Sequence, residues 1–149
     1  MSSFEALEPQ YEERVRSSFS RQSLMNTIQA RMTQVAPGTV EIEMPYGEAF
    51  GQQLGFVHGA IITAIADSAC GYAALTLTAP GSEVLTVEFK ANFLAPAEGE
   101  AFVAKARVLR QGRSVTVCSA DVFALGGADE PLIATMLATM KVMSDQQHK

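Results

Sequence analysis

The sequence predicts an α+β fold: a curved antiparallel β-sheet of five or six strands wrapped around one long buried helix, with a short helix ahead of it. Three observations lead there. The run from Gly59 to Ala79 is apolar on nearly every face, so it must be enclosed rather than lie on a surface. Most of the chain beyond that run alternates apolar and polar residues with a period of two. Turn signals at Pro37-Gly38, Pro80-Gly81 and Gln111-Gly112 cut the chain into hairpin-sized pieces.

Taken in order, Gln10 to Phe19 holds mostly helix formers with Tyr11, Val15 and Phe19 four apart, an amphipathic helix with a narrow packing face. It belongs to a helical segment of about residues 1–27 within one domain spanning residues 1–149. Ile28 to Val35 alternates in part, and beyond Pro37-Gly38 the residues Val40, Ile42 and Met44 alternate with Glu41 and Glu43, which makes a hairpin. A loop from Gly47 to Gly55 precedes the buried helix, and Pro80-Gly81 ends it.

Leu85, Val87, Phe89, Ala91 and Phe93 alternate with Thr86, Glu88, Lys90 and Asn92, a half-buried strand that stops at Pro96. Phe102 to Leu109, with Lys105 and Arg107 outward, and Ser114 to Leu125 form the next two strands. Leu132 to Met143 supplies the last, although its Ala and Met content would tolerate a helix.

Composition excludes several functions. With 48% hydrophobic and 18% charged residues the chain has ample core material, and a net charge of -5 argues against a broad nucleic-acid surface or an anionic-membrane binder. Asp67, Ser68 and Gly71 interrupt the long apolar run, and no basic anchor flanks it, which argues against a membrane span. Cys70 and Cys118 lack any disulfide or CxxC spacing, and with His58 and His148 as the two histidines no dedicated metal site is expected. The acidic N-terminus carries no signal pattern, so a cytoplasmic location is expected.

The chemistry concentrates at His58-Gly59-Ala60 and Asp67. An acid in a mostly apolar helix needs partners or a raised pKa. If the helix starts near Gly59, its free N–H groups favour an anion there. Asp67 lies eight positions further on, roughly 12 Å along the axis, too far for one small reacting group to touch both. Two copies packed about a twofold could bring the start of one helix to the middle of the other, which points to an isologous dimer with two equivalent sites. The plainer readings, a tight helix start at His58-Gly59 and a structural acid at Asp67, remain open on these residues alone.

These residues resemble the hotdog-fold acyl-CoA thioesterases, in particular their phenylacetate-pathway branch, from about Gln22 to Met143. That branch is similar in carrying an Asn or Gln, five intervening residues, His-Gly-Gly, and an acid nine positions after the His; here these are Gln52, His58-Gly59-Ala60 and Asp67. Val84 to Ala97 resembles the family's first long strand with its terminal Pro, here Pro96. Ala60 replaces the second glycine of the motif but keeps its backbone N–H.

The resemblance implies that Asp67 attacks a thioester carbonyl or activates water, and that the Gly59 N–H of a partner subunit polarises the carbonyl oxygen. It implies that Gln52 orients the water or the acid, that His58 holds the thioester or assists thiolate departure, and that Thr86 hydrogen-bonds a water or the acid. Arg110, Gly112 and Arg113, at a turn between long strands, are candidates for the phosphates of coenzyme A, since Arg forks suit phosphate and Gly permits close approach; Lys90, Lys105 and Arg107 are weaker ones. No cofactor is implied beyond the CoA carried by the substrate, and the expected assembly is a dimer or a dimer of dimers. Phe89, Phe93 and Tyr72 are candidates for an acyl pocket. Two other functions fit the same fold, a non-catalytic acyl-CoA-binding module and a dehydratase or hydratase acting on a thioester.

Overall fold

The computed structural model describes residues 3–145, so His148 lies outside the described residues. Two short helices, α1 (Tyr11–Ser20) and α2 (Ser23–Thr27), precede the hairpin β1 (Arg31–Ala36) and β2 (Thr39–Pro45). A 3-10 turn at Glu48–Phe50 leads to α3 (Gly59–Leu75), followed by β3 (Glu83–Phe93), β4 (Ala101–Arg110), β5 (Val115–Leu125) and β6 (Leu132–Met143). All pairings are antiparallel, in the order β1-β2-β4-β5-β6-β3. This is the expected hotdog arrangement, with β6 a strand along its whole predicted length.

The sheet curls around α3, which packs against β2, β3, β4, β5 and β6. Along β2 the buried residues alternate strictly, so Val40, Ile42 and Met44 meet the helix while Glu41 and Glu43 turn outward. Ile62, Ile65, Ala66, Ala69, Cys70 and Ala73 fill the other side of that contact. Burying each larger aliphatic side chain there contributes about 1.5–3 kcal/mol. Cys118 is buried on β5, and burial pushes its thiol up to about 12, which leaves it a small apolar filler.

Two details differ from the sequence expectation. The helix is not wholly enclosed: Ala60, Ala64, Asp67 and Gly71, spaced three or four apart, form a stripe that the sheet leaves partly uncovered beside β3. An open six-stranded sheet does not close, and β3 is its last strand.

The second difference is β3 itself, which is exposed along most of its length rather than half-buried. A β-bulge between Thr86 and Glu88 breaks its alternation. Thr86, opposite the buried Met140, therefore faces the helix, whereas Leu85 and Val87 are 57% and 61% exposed. Period-two patterning cannot register one inserted residue, so it placed Thr86 on the wrong face.

Arg14 ties the N-terminal helix to the far end of α3. Its guanidinium donates to the carbonyls of Leu75, Thr78 and Ser82 and to Thr78 Oγ1, while pairing with Glu8. α3 ends at Leu75, ahead of the expected stop at Pro80-Gly81, so Arg14 bonds the last helical carbonyl and two in the turn beyond it, where a cation also opposes the negative end of the helix dipole.

Candidate active site

His58 caps α3. Its backbone is extended, and its Nδ1 accepts the Ala60 N–H at 2.9 Å, while its carbonyl accepts from Ile61 at 2.9 Å. With Nδ1 engaged, Nε2 is the ring atom left for any other task. The first-turn N–H of Gly59 has no acceptor among the described residues, so the positive end of the helix dipole is presented there unspent. Space rather than backbone angle favours Gly59: a Cβ there would lie 3.0 Å from the Phe93 ring, which must shift slightly to admit it. Phe93, a candidate for the acyl pocket, thus roofs the helix start.

Gln52 is held by its own loop. Its side-chain oxygen accepts the Leu54 N–H, and its backbone N–H donates to Phe56 at 2.8 Å. The Gly51–Val57 bridge and the 2.8 Å bond from the His58 N–H to the Phe50 carbonyl fold this loop back onto the start of α3.

Asp67 sits on the uncovered stripe, one wall of a pocket of about 130 Å³. Thr86 Oγ1 donates to Asp67 Oδ1 at 2.7 Å, so the bulge that turns Thr86 inward also supplies the acid's partner. Burial pushes the Asp67 carboxyl above the ordinary aspartate value, and the Thr86 hydrogen bond opposes that rise. Among the described residues no Lys or Arg forms an ion pair with it. A structural acid is ordinarily paired or fully hydrogen-bonded; this one is partly desolvated and accepts from a single donor among the described residues.

The structure thus brings Asp67 and Thr86 together, and leaves them about 12 Å along the axis from Gly59 of the same chain. It also places Ser18, Gln22, Ser68, Tyr72 and Glu83 on the same pocket. Ser68 and Tyr72 were legible as one helical face, being four apart and beside Asp67. Ser18 and Gln22 carry no local signal, because only the docking of the N-terminal helices puts them there.

Of the phosphate candidates, Gly112 and Arg113 border a cavity of about 460 Å³ near the end of α3, together with Lys141, Ser82 and Thr78. Arg110 lies outside its lining. The β4–β5 turn closes tightly at Gly112, where a Cβ would lie 2.2 Å from the Val115 carbonyl oxygen. Among the described residues no cluster of His, Cys, Asp and Glu could hold a metal ion, and no helix is long and apolar enough to cross a membrane.

The profile of the thioesterase superfamily matches residues 54–130, which include the helix start, Asp67 and Thr86. A thioesterase family protein from Silicibacter pomeroyi has a crystal structure that superposes with a TM-score of 0.88, at 48% identity over 90% of this chain and 98% of that one. Human acyl-coenzyme A thioesterase 13 is 30% identical over 92 residues, 61% of this chain and 65% of that protein, so the chain spans less than two thirds of that curated relative. The Escherichia coli PaaI protein of the phenylacetic acid degradation operon, at 15% identity, shares the fold with a TM-score of 0.82 over 93% of this chain and 97% of its own. The chain belongs to the thioesterase superfamily.

Proposed function

We propose that this member of the thioesterase superfamily hydrolyses acyl-CoA thioesters at two equivalent sites, each shared between two copies of the chain. The observation that carries the reading is the pair of complementary features on one rod: a first-turn N–H without an acceptor at Gly59 and a desolvated carboxylate at Asp67, too far apart to serve one carbonyl within a protomer. A twofold partner resolves the distance. Its strand β3 can pair with this β3, an edge strand whose outer side bonds no other strand among the described residues and whose Leu85, Val87, Phe89 and Phe93 are exposed.

In that arrangement the N–H of Gly59 in the partner subunit holds the thioester oxygen as negative charge develops on it. Asp67 either takes a proton from water, whose oxygen then attacks the carbonyl carbon, or attacks that carbon itself to give an anhydride that water opens. The C–S bond breaks and the electron pair leaves on the CoA thiolate, a good leaving group that needs no Ser-His-Asp arrangement. Thr86 fixes the carboxylate orientation through its hydrogen bond. Gln52 and His58, at the head of the partner helix, complete the far side of the site, with His58 Nε2 available to the departing sulfur.

Arg113, Gly112 and Lys141 around the larger cavity supply the local positive rim that a chain of net charge -5 needs for CoA phosphates. Exposed Leu109 and Leu137 on the outer sheet face would let two dimers stack.

The deciding experiment is thiol release from a panel of acyl-CoAs by wild type and Asp67→Asn. Wild-type release with at least a ~10³-fold loss in the variant supports hydrolysis by Asp67. Tight acyl-CoA binding by calorimetry with no thiol release would instead identify a binding module.

A further inference from the structure

We infer that Met140 is a positioning residue of the hydrolytic site, its thioether being the second acceptor to which the Thr86 hydroxyl turns when Asp67 takes up a proton. The inference rests on the hydrolytic reading above and adds to it a residue that acts through Thr86.

Thr86 and Met140 are direct partners in the β3–β6 ladder, the last pair before the bulge toward Glu88. Met140 is fully buried, so its sulfur stays where β6 holds it. Two acceptors lie within reach of one hydroxyl: Asp67 Oδ1 at 2.7 Å and Met140 Sδ at 3.5 Å. A threonine hydroxyl has one hydrogen to give and two lone pairs, and a thioether sulfur is a weak acceptor. Thr86 therefore gives its hydrogen to one of the two at a time.

Charge decides which. A hydrogen bond to an ionised acceptor is about twice as strong as a neutral one, so the Asp67 carboxylate holds the hydrogen at rest. Once Asp67 has taken a proton from the attacking water onto Oδ1, that advantage is gone and the acid has a hydrogen of its own to place. The Thr86 hydroxyl then rotates, gives its hydrogen to Met140 Sδ and accepts from the Asp67 O–H. Asp67 gains the one proton that water loses, and Thr86 keeps its own. Without the sulfur the rotated hydroxyl would point its hydrogen at carbon, an unmade bond that disfavours the protonated acid. The other groups around Asp67 do not share this role. Glu83 and Tyr72 border its pocket, Cys70 lies on the same helix, and Ser18 and Gln22 face the pocket from the N-terminal helices, whereas the Thr86 hydroxyl bonds Asp67 and Met140 among the described residues.

The test is the pH profile of acyl-CoA thiol release for wild type, Met140→Leu, Thr86→Val and the double variant, with Met136→Leu as the same exchange at another buried position of β6. Met140→Leu is expected to lower kcat about threefold, the worth of one weak hydrogen bond, with KM little changed. It is also expected to move the acid limb of kcat/KM to lower pH, opposite to Thr86→Val, because the protonated acid has lost support. Met136→Leu should leave the profile in place, and Met140→Leu should add nothing once the Thr86 hydroxyl is gone. A limb that moves to higher pH would make Met140 mere packing behind Thr86 and would overturn the inference. An unmoved limb, an equal shift in Met136→Leu, or the same shift in the Thr86→Val background would overturn it too. The exchange of Met for Leu conserves volume; should Met140→Leu still misfold, Met140→Ile is read in the same way. Absence of thiol release from every acyl-CoA by wild type would overturn the hydrolytic reading, and the inference with it.

Discussion

Thr86 Oγ1 donates a 2.7 Å hydrogen bond to Asp67 Oδ1, joining an edge strand to the central helix at a pocket acid whose pKa burial forces upward. The bond exists because a β-bulge after Thr86 turns it toward the helix.

Removing that donor with Thr86→Val deprives the carboxylate of the interaction that holds its pKa down, leaving desolvation unopposed. Asp67 then titrates at a higher pH. The acid limb of the kcat/KM profile for thiol release is expected to move to higher pH than in wild type, and an unchanged limb would remove Asp67 as the titrating base.

Asp67→Asn is expected to raise stability while ending turnover. The folded pKa of Asp67 lies above its unfolded value, so the chain loses stability as pH rises from the unfolded value through the folded one. Below about pH 4, the ordinary aspartate value, the penalty is absent. Calorimetry should therefore show a higher Tm for the variant at neutral pH, with the difference shrinking as pH falls through that window.

Subunit complementation tests the shared site directly. Gly59 is the first helical residue, where Pro is tolerated, and His58 has the extended ψ of 135° that a following Pro requires. Gly59→Pro removes the N–H without deleting the acid, and its Cβ meets the half-exposed Phe93 ring at 3.0 Å, a contact the ring can yield to. Two inactive proteins, Gly59→Pro and Asp67→Asn, when unfolded together and refolded in equal amounts, should regain about a quarter of wild-type activity, since half of a random mixture of dimers is mixed and each mixed dimer holds one intact site. No recovery from a mixture shown to contain mixed dimers would place both groups within one chain.

The contact between Gly59 and Phe93 predicts a coupled pair. Gly59→Ala places a methyl 3.0 Å from an aromatic ring that is 55% exposed and able to yield, so the cost is near the low end for overpacking, about 1 kcal/mol. In a Phe93→Ala background the same substitution should cost nothing. A thermal double-mutant cycle with additive effects would refute the contact.

Arg14→Ala removes a donor from the carbonyl of Leu75, the last residue of α3, and from those of Thr78 and Ser82 in the loop beyond it. The expected loss is about 1–3 kcal/mol, seen as a Tm lowered by roughly 2–4 °C per kcal/mol. Arg14→Lys should restore only part of it, because one ammonium cannot reproduce the planar fork across several acceptors.

Sequence alone determined the order of elements and the wrapped helix, because each is written in local periodicity or turn chemistry, while the motif from Gln52 to Asp67 was legible only through its resemblance to a family. The helix start at His58-Gly59 was likewise local, whereas the expected stop at Pro80-Gly81 was not its end: α3 stops at Leu75 with Thr76 as its cap. Tertiary structure decided what depended on register and docking: the bulge that sends Thr86 to Asp67, the uncovered stripe on α3, the exposure of β3, and the arrival of Ser18 and Gln22 at the pocket. A single inserted residue reverses every side chain beyond it without altering composition, and two helices dock where their apolar faces find a surface, so neither outcome leaves a mark that neighbouring residues can reveal.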